Sequence, residues 1–216
     1  MPLGAVLFDL DGTLVDSLGD IAAAMNHALE HHGLSPHPEA AYLRFVGEGV
    51  SQLAHRATGG ADPALQGRVL STYHGYYDAH LFDRTSPYPG VVEMLQALAA
   101  DGLPLGVLSN KSDDFVKRLA ARLLPGVSFA AVYGERPGIP RKPDPTAALA
   151  LAAELGVAPA ACGFVGDTSV DMDTAKAAGM YGVGVTWGFR PAELEAHGAK
   201  AVVSSAAALL AALRAA

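Results

Sequence analysis

The stretch Leu3-Gly-Ala-Val-Leu-Phe-Asp-Leu-Asp-Gly-Thr13 determines how the rest of the chain is interpreted. It opens as a short apolar run that stops at Asp9. A continuous apolar run, unlike an alternating one, is typical of a strand covered on both faces of a parallel sheet. Asp9 and Asp11 would then lie at the carboxyl end of that strand, where doubly wound sheets place their functional sites.

Similar apolar runs recur along the chain and alternate with helical patterns. The runs cover residues 103–108, 130–133, 162–165 and 182–186, with a weaker one at 201–203. The helical patterns cover 91–100, 115–123, 146–155 and 170–178. Strands that alternate with helices predict βαβ units, and therefore an α/β fold with a doubly wound parallel sheet.

Residues 16–83 interrupt this alternation. They contain helical patterns without a convincing strand, three basic residues against eight acidic ones, no lysine and seven of the eight histidines. Such a shift in composition predicts a small helical domain inserted after the first strand. We therefore expect a core domain of residues 1–15 and 84–216 and a helical domain of residues 16–83.

The composition and net charge of the chain argue against several classes of protein. The chain has 216 residues, a net charge of −7 and a single cysteine. The acidic balance argues against a nucleic-acid surface or an anionic-membrane anchor. One cysteine excludes an internal disulfide framework and a multi-cysteine zinc site. No apolar run reaches the ~18 residues of a membrane span, and no signal peptide is evident. We expect a cytoplasmic protein, either a monomer or a homodimer.

Two sets of carboxylates follow predicted strands. Asp9 and Asp11 are two residues apart, and two carboxylates ~4 Å apart repel by roughly 4 kcal/mol at an effective dielectric near 20. Asp167 and Asp171 follow a later strand. Carboxylates without neighbouring cysteine or histidine favour a Mg²⁺ site. The alternative is that these residues close strands and cap helices.

Two further strand ends carry groups that suit an anion. Ser109 and Asn110 follow the second strand of the predicted core, where a helix N-terminus would add N–H donors. Lys142 precedes Asp144 and Pro145, which read as the N-cap and first residue of a helix. A plain helix cap at Ser109 and a solvated surface lysine at Lys142 are the alternatives.

Taken together in this order, the motifs resemble those of the haloacid dehalogenase superfamily, in its phosphatase branch. The resemblance covers nearly the whole chain, and the helical insertion is similar to that superfamily's small helical cap. It rests on Phe8-Asp-Leu-Asp-Gly-Thr-Leu-Val-Asp-Ser17, Ser109-Asn110, Lys142-Pro-Asp-Pro145, and Gly166-Asp167 with Asp171. Three further stretches look most like phosphoglycolate phosphatases: Tyr88-Pro-Gly90, Phe45-Val-Gly-Glu-Gly49 and Thr186-Trp-Gly-Phe-Arg190.

The resemblance implies a role for each candidate residue. Asp9 would be the nucleophile that forms an aspartyl-phosphate, and Asp11 the general acid and base. The transferring phosphoryl group would be bound by Ser109, Asn110 and Lys142. Mg²⁺ would be held by Asp9, the backbone carbonyl of Asp11, Asp167 and, directly or through its neighbours, Asp171.

The substrate implied is a small phosphorylated metabolite, most simply 2-phosphoglycolate. Arg44 is our candidate for binding its carboxylate, because it precedes the Gly47-Glu-Gly49 turn. A phosphatase for another small metabolite and a phosphomutase of the same superfamily remain alternatives. A regulatory module that accepts a phosphoryl group without catalysis is the non-enzymatic alternative.

Overall fold

The computed structural model describes residues 2–216, which form eight strands and nine α-helices. The strands are β1 (Ala5–Phe8), β2 (Val15–Asp16), β3 (Ser86–Pro87), β4 (Leu105–Ser112), β5 (Ala131–Glu135), β6 (Cys162–Gly166), β7 (Tyr181–Val185) and β8 (Ala201–Val203). The helices are α1 (Leu18–His31), α2 (Tyr42–Phe45), α3 (Val50–Ala57), α4 (Pro63–Ala79), α5 (Val91–Ala100), α6 (Asp113–Leu123), α7 (Thr146–Glu154), α8 (Ser169–Ala178) and α9 (Ala206–Ala215).

Six strands form one parallel sheet in the order β5-β4-β1-β6-β7-β8, which confirms the predicted fold class. β1 is central and fully buried because both faces of the sheet are covered. Val6 and Phe8 belong to the hydrophobic cluster on one face, and Ala5 and Leu7 to the cluster on the other. The continuous apolar run of the sequence is thus explained by burial on both sides.

Four helices, α1 to α4, lie between β2 and β3 and form what we call the helical insert. β2 and β3 pair antiparallel, with Val15 opposite Pro87 and Asp16 opposite Ser86. Beside this ribbon the buried carboxylate of Asp20 accepts hydrogen bonds from the backbone N–H of Arg84 and from both the N–H and the hydroxyl of Thr85. Asp20 therefore links the first helix of the insert to the segment that leads from the insert into β3.

Two local boundaries differ from the expectation. β4 continues past Ser109 to Ser112, where it pairs with Glu135 of β5, so α6 begins four residues after Ser109. α7 begins at Thr146, one residue later than predicted, although Asp144 Oδ1 accepts from Thr146 N at 2.9 Å as an N-cap side chain does. Local sequence patterns locate helix ends only to within a residue or two.

No helix within residues 2–216 has both the length and the apolar character that crossing a membrane requires.

Candidate active site

Asp9 is the first residue after β1 and lies at the carboxyl edge of the sheet. It is only 8% exposed. Its Oδ1 lies 3.0 Å from Lys142 Nζ and accepts a hydrogen bond from Leu10 N at 2.7 Å. Burial raises the pKa of Asp9 to about 7, against the opposing charge of Lys142 and together with repulsion from Asp171 and Asp11. The carboxylate is thus held in a defined orientation and is costly to ionise without a cation.

Asp9, Asp167 and Asp171 form a buried cluster in which one carboxylate oxygen from each lies within 4.8 Å of the others. Asp167 follows β6 and is completely buried. Its oxygens accept hydrogen bonds from the Thr13 hydroxyl at 3.0 Å and from Phe189 N at 2.7 Å. Burial raises the pKa of Asp167 well above its ordinary value, and the charges of Asp171 and Asp9 add to the effect.

Glycines let the backbone come close to Asp167. A Cβ on Gly12, which has a φ of +83°, would lie 2.3 Å from Asp167 Oδ2. A Cβ on Gly188 would lie 2.3 Å from both Asp167 Cβ and the carbonyl oxygen of Gly12. Any larger side chain at Gly188 must therefore displace the carboxylate or the loop that follows β1.

Asp171 combines two functions that sequence reasoning considered separately. With Thr168 it forms a capping box at the start of α8, accepting from Thr168 N at 3.1 Å. Its other oxygen binds Lys142 Nζ at 2.7 Å. Burial opposes the charge of Lys142, but the carboxylates of Asp171 and Asp9 outweigh it and raise the pKa of the lysine. Lys142 is therefore a charged group fixed between two acids, not a solvated surface lysine.

Asp11 is oriented differently from Asp9. Ser17 Oγ donates to its Oδ1 at 2.6 Å, and Lys111 Nζ lies 2.9 and 3.0 Å from its two oxygens. The predicted repulsion between Asp9 and Asp11 is thus offset at Asp11 by an ion pair with Lys111. The carboxylate of Asp11 does not belong to the buried acidic cluster.

Ser109 and Asn110 both lie on β4 beside Asp9. Ser109 Oγ accepts from Lys111 N at 3.3 Å, so its hydroxyl proton remains available for a ligand. The amide of Asn110 is occupied: Nδ2 donates to Lys142 O and Gly47 O at 2.9 and 3.1 Å, and Oδ1 accepts from Lys142 N at 2.9 Å. The Asn110 side chain therefore positions Lys142 and contacts the helical insert.

Arg44 does not line the cavity that contains Asp9 and Asp11. It is exposed on α2 and lines a second cavity together with Arg56 and Arg190. The cavity that contains Asp9 and Asp11, which we call the site cavity, is lined by other residues. The sequence placed Arg44 by its distance along the chain from Gly47, and that distance does not specify which side of α2 faces the site.

Lys111 and Thr13 are the contacts that sequence reasoning missed. Thr13 was read only as part of the first motif, and Lys111 only as the residue after Asn110. The register of β4 is irregular between Leu108 and Ser112, and the consecutive residues Ser109 to Ser112 all line the site cavity. A period of two therefore does not identify Lys111, and its contact with Asp11, 100 residues away, has no local signal.

Comparisons with known proteins agree with this geometry. Residues 6–185 match the family model described as haloacid dehalogenase-like hydrolase. A phosphoglycolate phosphatase of Rhodospirillum rubrum is 39% identical over 214 residues, which cover 95% of this chain and 88% of the relative.

Two solved structures are similar over nearly their whole length. One, from Haemophilus somnus, is described as a predicted phosphoglycolate phosphatase; it has a TM-score of 0.91 and 28% identity and covers 97% of both chains. The other is a hydrolase of the same family from Deinococcus radiodurans with bound phosphate and sodium. It has a TM-score of 0.74 and 28% identity, and covers 98% of this chain and 95% of its own.

Proposed function

The chain belongs to the haloacid dehalogenase-like hydrolase family and is a phosphatase, and from this premise we propose that Asp9 forms an aspartyl-phosphate during hydrolysis of 2-phosphoglycolate. The observation that carries the proposal is the environment of Asp9. Its carboxylate is buried at the edge of the sheet, is oriented by Lys142 and Leu10, and lines the site cavity. An oriented carboxylate with limited solvation suits a nucleophile.

The chemistry proceeds in two displacements. A carboxylate oxygen of Asp9 attacks phosphorus, the bond from phosphorus to the leaving oxygen breaks, and Asp11 gives that oxygen a proton. Water then attacks the phosphorus of the aspartyl-phosphate and passes a proton to Asp11, which releases phosphate and restores Asp9. Asp11 suits this role because its carboxylate also lines the site cavity.

Charged and polar groups around Asp9 hold the transferring group. Lys142 Nζ, next to Asp9 Oδ1, neutralises charge on phosphoryl oxygens, and the Ser109 hydroxyl donates to one of them. Positioning and charge neutralisation provide most of the catalysis in phosphoryl transfer. Asn110 contributes by holding the backbone of Lys142. Its Nδ2 donates to the carbonyl oxygen of Lys142 at 2.9 Å, and its Oδ1 accepts from the N–H of Lys142 at 2.9 Å.

The acidic cluster fits Mg²⁺. Three buried carboxylates offer oxygen ligands within 4.8 Å of one another, and Lys142 is the only positive charge they contact in residues 2–216. Hard oxygen ligands are those that Mg²⁺ prefers. Asp9 and Asp167 would hold the ion together with the backbone carbonyl of Asp11, and Asp171 would lie beside it. When bound, Mg²⁺ supplies charge neutralisation to the phosphoryl oxygens.

The helical insert supports a role in substrate selection. We propose that residues 16–83 form a cap domain over a core of residues 1–15 and 84–216. Val46, Gly47 and Leu53 of the insert line the site cavity opposite Asp9. In the proposed complex, residues of the insert would contact the leaving group while Asp9 contacts the phosphoryl group.

The test measures phosphate release from 2-phosphoglycolate and from p-nitrophenyl phosphate with Mg²⁺ and with EDTA. We expect turnover with Mg²⁺, loss in EDTA and a preference for 2-phosphoglycolate. Asp9→Asn is expected to lose turnover. It is also expected to lose the acid-stable ³²P label that the protein acquires from a ³²P-labelled phosphate ester. The control Asp173→Asn, whose side chain is 40% exposed, is expected to keep both. A preferred ester other than 2-phosphoglycolate would indicate another small metabolite, and an isomerised product without free phosphate would indicate a phosphomutase.

A further inference from the structure

The site cavity is largely apolar where the helical insert covers it. Six of its wall residues are Ile21, Val46, Val50, Leu53, Phe115 and Phe189. Such a wall repels an anion unless a fixed positive charge faces the cavity, because an unpaired charge is costly to remove from water. The leaving group of the proposed substrate carries a carboxylate, so the position of positive charge in this cavity determines whether it is accepted.

Lys111 supplies that charge. Within residues 2–216 it is the only lysine or arginine that lines the site cavity. Its side chain is 8% exposed, and Nζ lies 4.8 Å from the ring centre of Tyr77 and 2.9 Å from Asp11. An ammonium has three N–H donors. Nζ makes hydrogen bonds to both oxygens of Asp11, at 2.9 and 3.0 Å, and these use at most two of its donors.

The other lysine and arginine side chains near the site lie outside the lining of the site cavity. Lys142 contacts Asp9 and Asp171. Arg44 and Arg190 line the second cavity. The guanidinium of Arg141 packs where a side chain on Gly49 would lie, and its charge faces Glu135 at 3.7 Å.

His74 also lines the site cavity, but as a neutral group. Burial lowers the pKa of His74 from its ordinary value of 6.5, in spite of the opposing charge of Glu135. At neutral pH the imidazole therefore adds no positive charge, and Lys111 is left as the cation of this cavity.

We propose that Lys111 is the specificity-determining residue that binds the anionic end of the leaving group; this rests on the proposed function. Lys111 acts in two ways. It offers a hydrogen-bond donor to the substrate carboxylate, and its positive charge attracts that carboxylate into a cavity with a largely apolar wall. The substrate class that follows is a phosphate monoester with a carboxylate or a similar anion a few bonds from the ester oxygen.

The test compares two esters of the same length, 2-phosphoglycolate and 2-hydroxyethyl phosphate, which differ by a carboxylate against a hydroxymethyl group. The readout is the ratio of kcat/KM for 2-phosphoglycolate, whose leaving group is anionic, to kcat/KM for 2-hydroxyethyl phosphate, whose leaving group is neutral. In the wild type we expect a ratio well above one. In Lys111→Met we expect it to fall by roughly 10²-fold, mainly through KM for the anionic ester, the effect typical of removing one partner of a buried charge pair.

Two variants make the test specific. Lys111→Arg keeps the charge and is expected to retain most of the preference, whereas Lys117→Met, which removes a half-exposed lysine on α6, is expected to leave the ratio at its wild-type value. Lys111→Gln keeps the length of the side chain without its charge, and it replaces Lys111→Met if that variant does not fold.

The kinetic results distinguish a wrong role for Lys111 from a wrong proposed function. If the wild type hydrolyses both esters with equal kcat/KM, the phosphatase activity stands and the role of Lys111 is refuted. An unchanged ratio in Lys111→Met and Lys111→Gln refutes it as well. If the wild type releases phosphate from neither ester with Mg²⁺, the proposed function itself is wrong, and the role of Lys111 is wrong with it.

Discussion

Replacing Asp167 by asparagine is expected to stabilise the protein when metal is absent. Asp167 is fully buried with oxygens within 4.8 Å of oxygens on Asp9 and Asp171. At that separation each ionised pair repels by about 3.5 kcal/mol at an effective dielectric of 20. Asparagine removes this repulsion but weakens the hydrogen bonds from Thr13 and Phe189, at a cost of about 1–2 kcal/mol.

Protonation already relieves part of the repulsion, because the pKa values of Asp9 and Asp167 are raised in the folded state. We therefore expect a net gain of about 1–2 kcal/mol, which corresponds to a rise in Tm of roughly 2–8 °C for a chain of this length. A carboxyl group whose pKa is raised by folding stabilises the folded state fully at pH values below its unfolded pKa, near 4. That contribution is lost as the pH rises through the folded pKa, which is about 7 for Asp9. The gain is accordingly largest above pH 7 and disappears towards pH 4.

The assay is thermal unfolding in EDTA at pH 4.5 and pH 8, repeated at pH 8 with increasing Mg²⁺. Asp173→Asn is the matched control, since Asp173 lies nearby on α8 but is 40% exposed and paired with His197. Mg²⁺ should raise the Tm of the wild type and of the control, because a ligand that binds only the folded state stabilises it. It should raise the Tm of Asp167→Asn much less.

Two results would refute this reasoning. A fall of several degrees in EDTA at pH 8 would mean that Asp167 serves mainly as a hydrogen-bond acceptor for the loops around it. An undiminished stabilisation by Mg²⁺ would mean that Asp167 is not a ligand.

Three other perturbations test the general acid, the ribbon beside the helical insert and a close glycine contact. Asp11→Asn should slow steady-state phosphate release by roughly 10²–10⁴-fold; less than tenfold would assign proton transfer to another group. Asp20→Ala leaves the backbone donors of Arg84 and Thr85 unpaired and should lower the free energy of unfolding, measured in urea, by about 3–5 kcal/mol. A loss below about 1 kcal/mol would show that these hydrogen bonds do not hold the ribbon to the helical insert. Gly188→Ala should raise the Mg²⁺ concentration for half-maximal activity roughly tenfold or more, and an unchanged value would show that the loop yields without moving the metal ligands.

The fold was predictable because its evidence is local. Each buried strand appears as an apolar run, and the four runs between residues 103 and 186 each follow a helical pattern of about ten residues. Val6 and Phe8 pack on one face of the sheet while Ala5 and Leu7 pack on the other, so β1 had to be apolar at every position. The alternation predicts a parallel, doubly wound sheet, whereas the order of its strands is known only from the structure.

The site was predictable to the extent that strand ends converge on one edge. This argument brings Asp9, Asp167 and Lys142 together, and the structure has them in contact or within one cluster. It does not predict contacts between the sheet and the helical insert. Asn110 binds Gly47, which lies 63 residues away in sequence, and no local pattern specifies that pairing. For the same reason the sequence does not specify that Arg44 lines the second cavity.

The paired strands β2 and β3 bring together the two points where the chain enters and leaves the helical insert. Val15 and Pro87 are opposite each other in an antiparallel ribbon, so the two points where the chain leaves and rejoins the core are roughly 5 Å apart. The main sheet takes no strand from the insert. The hydrophobic core is nevertheless continuous across the boundary, because Val6 and Phe8 of the sheet share one cluster with Met25 and Tyr42 of the insert. The chain thus enters and leaves the insert at one point while the two parts remain packed together.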